Sequence, residues 1–166
     1  RNKLVQRLAY KIGPILVLKV MLNSLKAIEL LKKVALRPTK QRIALTKILC
    51  QENHLHITAE QLHSEAIRKG YKISLATVYN ALNRFKEAGI VKQVLVEPGK
   101  IYFDTNTEPH HHFYIEETGE LLDVSDDECK IASLPRIPAE YTINQVQVTI
   151  RLKKSKDADP RSRNKV

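Results

Sequence analysis

Three consecutive histidines, His110-His111-His112, carry the strongest chemical signal in this 166-residue chain. Neutral imidazole ligates borderline divalent metals and haem iron. Along a strand successive side chains alternate, so His110 and His112 share one face and His111 takes the other. That pair can share one ion with ligands from elsewhere. His56 and Asp104, each beside an expected helix or strand end, are available. A surface triplet that holds nothing is the competing reading. His54 and His63 stand alone and read as structural. Cys50 and Cys129 are too far apart in sequence to form a metal or redox pair, and they suit a reducing cytoplasm better than a disulfide-stapled domain. The chain has no His-Glu-x-x-His helix, no catalytic pairing of carboxylates and no Gly-rich phosphate loop, so catalysis is not expected.

The elements before the triplet read as helices followed by a hairpin. Leu25, Ile28, Leu31 and Leu36 suggest a short helix ending before Arg37-Pro38. Thr39 caps a second helix to about Cys50. Thr58-Ala59-Glu60-Gln61 is a capping box, opening a helix that stops at Gly70. Ser74 caps the next, in which Leu75, Val78, Leu82 and Phe85 recur at helical spacing until Gly89. Ile90–Val96 and Ile101–Asp104 flank the turn Glu97-Pro98-Gly99-Lys100 and read as a hairpin.

That order is the order of a winged helix-turn-helix, whose last helix enters the major groove. Helix 74–88 suits the role. Its apolar stripe faces inward, while Thr77, Asn80, Asn83 and Arg84 project from the other side with Tyr79. Such groups bond base edges and phosphates. An ordinary amphipathic surface helix remains the alternative on periodicity alone.

Charge supports a polyanionic partner. Residues 1–42 carry 11 Lys/Arg against one acid, whereas residues 105–150 carry two against nine. No stretch approaches 18 uninterrupted apolar residues, so no membrane-spanning helix is expected. Residues 1–24 read as an atypical extension, charged and then apolar like a signal peptide, but broken by Lys19. Met21 is the expected true start.

After Asp104 the pattern becomes that of a small sheet. Phe113–Ile115 and Glu120–Val124 flank Thr118-Gly119, Ser125–Ser133 reads as a short helix, and residues 145–152 alternate as a half-buried strand. A sheet this small is marginal alone, which suggests dimerisation across it. The domains expected are therefore the extension 1–24, a winged helix over 25–104, a dimerisation and sensing domain over 105–154, and a basic tail over 155–166. The fold class is α+β.

Leu36–Arg42, Thr58–Leu62, Leu75-Ala76-Thr77-Val78-Tyr79, Ala88-Gly89-Ile90-Val91, the triplet and Gly119–Asp127 resemble the ferric uptake regulator superfamily in order and spacing. The resemblance covers roughly residues 26–154. Within it the chain is most similar to the alphaproteobacterial iron response regulators, in its Val-Tyr-Asn stretch, its His-His-His-Phe segment and its ending.

The resemblance implies a dimeric regulator of operator DNA in the cytoplasm. Arg37, Ser74, Thr77, Tyr79, Asn80 and Arg84 would face DNA, with Arg37 reaching the minor groove. The regulatory metal site maps onto His56, Asp104, His110 and His112, for Fe2+, Mn2+ or Zn2+. Iron response regulators are similar in sensing haem, which makes His110, His111 and His112 candidate haem ligands. No Cys-Pro haem motif is present. A divalent-metal or peroxide sensor of the same superfamily is the alternative. Departures from the family pattern matter too. Ile115 and Thr118 stand where relatives carry a Cys-x-x-Cys pair, so no structural zinc held by four cysteines is expected. Lys130 and Gln145 stand where a second site would find ligands. Asn80 replaces a usual Arg after the Tyr, which shifts base preference toward adenine.

Overall fold

The computed structural model describes residues 14–51, 55–97 and 99–155. His54, the first half of the expected extension and nearly all of the basic tail lie outside them. The chain divides into two compact units, Arg1–Thr107 and Glu108–Val166. The division falls just beyond the expected 104/105 boundary, because Thr105 is still tied into the first unit. Its N–H donates to the Leu55 carbonyl at 3.1 Å, and its hydroxyl accepts from the Leu55 N–H at 2.9 Å.

The first unit contains α1 (Pro14–Lys33), α2 (Lys40–Leu49), β1 (His56–Ile57), α3 (Ala59–Arg68), α4 (Leu75–Glu87), β2 (Lys92–Glu97) and β3 (Lys100–Asp104). Helix α1 begins well before Leu25, with proline at its first position, where the missing N–H costs nothing. It therefore runs straight through the expected 24/25 boundary. Thr39, Thr58 and Ser74 cap α2, α3 and α4 with their hydroxyls, and the Thr58–Gln61 box is closed in both directions.

Helices α1, α3 and α4 share one way of stopping. After each, an N–H reaches five residues back, Leu36 to Leu31, Tyr71 to Ala66 and Ile90 to Phe85, at 2.8–3.0 Å. This closure needs a left-handed residue. Gly70 and Gly89 supply it after α3 and α4, but after α1 the position is Ala35, at φ 58°. The helices bury Leu31, Leu45, Leu49, Leu62, Leu82 and Phe85 in one core, on which Ile57 and Phe103 also pack. Strand order is β1-β3-β2, all antiparallel, and the register sets His56 directly opposite Asp104.

The second unit is a three-stranded sheet ordered β5-β4-β6, from β4 (His111–Ile115), β5 (Glu120–Val124) and β6 (Thr149–Leu152). β4 and β5 form the hairpin around Gly119, and β6 runs parallel to β4. β6 starts later than the alternation suggests, its first pair being Thr149 with His112.

The helix expected over Ser125–Ser133 is a single turn. Ser125 accepts from Glu128 and Cys129 N–H groups, and Glu128 returns a bond to the Ser125 N–H. Ile131 and Leu134 beyond it are exposed, so no packing offsets the cost of nucleating a longer helix. Among the described residues no helix is long and apolar enough to cross a membrane.

Candidate functional site

Helix α4 presents two faces. Val78, Ala81, Leu82 and Phe85 are buried, whereas Tyr79, Asn80, Asn83 and Arg84 are exposed. Thr77, Asn80, Asn83 and Arg84 line one side of a cleft of about 500 Å³, with Thr39, Gln41 and Arg42 of the α2 start opposite. The Arg42 guanidinium donates to the Arg37 carbonyl at 3.0 Å, fixing the segment that carries Arg37. Ser74 is occupied as a cap, its hydroxyl taking the Thr77 N–H and lying 2.9 Å from the Thr77 hydroxyl. The Tyr79 hydroxyl donates to Glu60 on α3. That bond raises the phenol pKa and lowers that of Glu60. It also braces the exposed ring.

The ligand candidates fall in two sets, one in each unit. In the first, His56 Nε2 lies 3.7 Å from Asp104 Oδ2, and the carboxylate is completely buried. Cross-strand pairing places them together. A second Asp104 oxygen accepts the Asn106 N–H at 2.7 Å, which holds the carboxylate in place.

In the second unit, His110 and His112 share a face. Their Nε2 atoms are 2.9 Å apart and their rings meet edge to face. Asp123 Oδ1 lies 3.4 Å from His110 Nε2 and 3.8 Å from His112 Nε2. Residues 110 and 112 are 6% and 0% exposed. Two imidazole nitrogens and a carboxylate, with donor atoms within 4.8 Å of one another, suit a borderline divalent cation.

Asp123 is the residue the sequence reading missed. The signal was there in principle, since a hairpin turning at Gly119 sets Asp123 opposite His112.

His111 lies on the other face. Its Nδ1 accepts the Val148 N–H at 3.2 Å, and its Nε2 faces Asp126 at 3.6 Å. It thus joins β4 to the approach of β6, apart from its two neighbours. His63 is bound to the Ile73 carbonyl at 3.0 Å. Burial raises the Cys50 thiol pKa, which makes it a poor thiolate donor.

A capped helix with a polar outer face, the β2–β3 hairpin that follows it, and histidines beside carboxylates in each unit define a winged-helix protein with candidate metal ligands. Residues 33–152 match the ferric uptake regulator family, and the chain belongs to that family. The ferric uptake regulation protein of Vibrio cholerae is 41% identical over 98 residues, 58% of this chain and 65% of that protein. The crystal structure of the Vibrio cholerae ferric uptake regulator superposes with a TM-score of 0.62 at 32% identity, covering 76% of this chain and 98% of that one. The Campylobacter jejuni peroxide stress regulator superposes with a TM-score of 0.52 at 28% identity, covering 79% and 98%.

Proposed function

We propose that this chain is a transcriptional regulator, working in the cytoplasm as a homodimer, whose hold on operator DNA is set by Fe2+, Mn2+ or Zn2+ at a histidine–carboxylate site. The observation that carries the reading is the convergence of the buried His110 and His112 on the partly exposed Asp123. His56 and Asp104 complete the ligand set in this proposal, as the family resemblance assigns.

A bound cation would supply positive charge to the carboxylate ligands. The protein supplies the rest. Its β1–β3 and β4–β5 pairings hold the ligands at fixed register, and the cation can change DNA occupancy only through different affinities for two protein arrangements. A second copy is supported by Leu122, Ile150 and Leu152, which the small sheet leaves exposed.

Haem at His110, His111 or His112 is the finer reading that the iron response regulators suggest. The geometry supports a cation better, since haem needs open space before its ligand and the three residues are at most 6% exposed.

The test is to titrate metal-free protein with Mn2+ or Zn2+, measuring retention of duplexes selected from a random library. Haem is titrated in parallel by visible absorbance. Cation-dependent, sequence-selective binding that disappears in a His110→Ala/His112→Ala protein is expected. Haem-dependent release without any divalent effect would overturn the cation. Absence of salt-sensitive duplex binding would overturn the regulator.

A further inference from the structure

Helix α4 has two flanks, and they differ in what they offer a nucleic acid. Toward α2 it lines the cleft with Asn80, Asn83 and Arg84, and Arg42 lies across from them. Those side chains carry N–H donors, which suit phosphate oxygens. Toward α3 stands the exposed Tyr79, whose hydroxyl donates to Glu60 Oε1.

Glu60 is the acid on these helices that no cation balances. Glu65 on α3 is tied to Arg68 and Lys69, and Glu87 on α4 is tied to Arg84 at 2.9 Å. The exposed Glu60 carboxyl takes the Tyr79 hydroxyl, with its own backbone N–H and the Thr58 hydroxyl beside it, and these bonds hold it below the ordinary carboxylate range. It sits in the first turn of α3, where the helix N-terminus also favours a negative charge. A charge of that sign repels a phosphate brought against the same flank.

A phenol has one hydrogen to give. While Glu60 holds it, Tyr79 cannot donate to a phosphate, to guanine O6 or N7, or to thymine O4. It still offers its ring and the lone pairs of its oxygen, which can accept from adenine N6 or cytosine N4. Alanine at position 60 would reverse both effects. The hydroxyl could then donate to any backbone oxygen within reach, and such bonds carry no sequence information.

We propose that Glu60 is a specificity-determining residue, which takes the Tyr79 hydroxyl hydrogen and closes this flank of α4 to the DNA backbone, reserving Tyr79 for base edges. The inference rests on the reading that α4 faces operator DNA.

The experiment measures the affinity of the full chain, with Mn2+ present, for a duplex selected from a random library and for a scrambled duplex of the same composition. Glu60→Ala should bind the scrambled duplex about fivefold more tightly than the parent does, the worth of one hydrogen bond. The selected duplex should gain less, so selectivity falls. A merely structural contact would act the other way, its loss weakening both. Glu60→Ala/Tyr79→Phe has no hydroxyl to offer and should give back part of the gain. Glu60→Gln keeps an acceptor of the same size and should stay closer to the parent than Glu60→Ala. Unchanged or weaker scrambled binding in Glu60→Ala, an equal gain on both duplexes, or a double variant that keeps the whole gain would overturn the proposal. A parent with no preference for the selected duplex would overturn the DNA reading, and this proposal with it.

Discussion

His112 on β4 and Asp123 on β5 stand directly across an antiparallel pair, with His112 Nε2 3.8 Å from Asp123 Oδ1. The relationship follows from the hairpin turn, whose Gly119 N–H donates to the Ile115 carbonyl at 2.8 Å and pins the register. A slip of one residue would turn Asp123 to the opposite face. The ligand set of the second unit is thus built by a short-range turn.

Asp123→Asn should test that ligand set with little change in shape. It keeps the side-chain size but removes the charge that balances a divalent cation. Mn2+ or Co2+ affinity, measured by competition titration, should fall by at least about 10-fold. Unchanged affinity would remove Asp123 from the site.

His111→Ala separates the two faces of β4. Cation affinity should stay close to that of the parent, because His111 bonds Val148 and faces Asp126. Stability should drop by about 1–3 kcal/mol in urea unfolding, since the Val148 N–H loses its acceptor beside a buried edge. The triple variant at His110, His111 and His112 should lose cation sensing while retaining DNA binding. Loss of cation binding from His111→Ala alone would put the ion on the wrong face of the strand.

Helix ends and helix faces were legible because they depend on a few adjacent residues. Thr39, Thr58 and Ser74 cap where their types and spacing suggested. Ala35 was not legible, since nothing local asks alanine for a positive φ; the closing bond from Leu36 to Leu31 imposes it. The start of α1 was missed because the apolar run before Leu25 resembles an export signal more than a helix. Asp123 was missed for another reason: it reaches His112 only through the register of the hairpin around Gly119, which the types of the two residues do not announce.

Ala35→Gly should stabilise the first unit modestly. A left-handed alanine costs about 1–2 kcal/mol, while glycine adds back about 0.4–1 kcal/mol by loosening the unfolded chain. The net gain should be at most about 1.5 kcal/mol from these two terms, seen as a small rise in Tm with DNA binding unaffected. A fall in Tm would mean that the alanine side chain does more there than bear strain.

Glu116 and Arg151 couple β4 to β6 through a 2.6 Å bond, and the Arg151 guanidinium holds the Glu116 carboxyl below its ordinary value. A carboxyl depressed in the folded state stabilises it above the unfolded pKa, about 4.3 for glutamate. That contribution is lost as pH falls through the folded value. Acid unfolding of the second unit should therefore be less steep in Glu116→Gln, the parent being ahead by a small margin near neutrality, where solvent screens the pair, and the two proteins converging in acid. Identical acid limbs for the two proteins would show that the bond contributes nothing to pairing.

Asn80 is the residue on which the choice of DNA sequence should turn. It is exposed on the outer face of α4, opposite the buried Val78–Leu82–Phe85 stripe, and it lines the cleft with Arg42 and Arg84. Phosphate contacts supply most of the affinity and no sequence information, whereas an amide can pair with the N6 and N7 edge of adenine. Asn80→Ala should then flatten the preference at one position by about 1–3 kcal/mol and leave non-specific binding nearly unchanged. Arg37→Ala should behave differently, weakening binding most where a narrow A·T-rich minor groove concentrates negative potential. Selection from a random duplex library, repeated with each variant at two salt concentrations, distinguishes the outcomes. Equal weakening on every sequence from Asn80→Ala would assign it to the backbone, and the base-reading role of α4 would have to pass to Thr77 or Arg84.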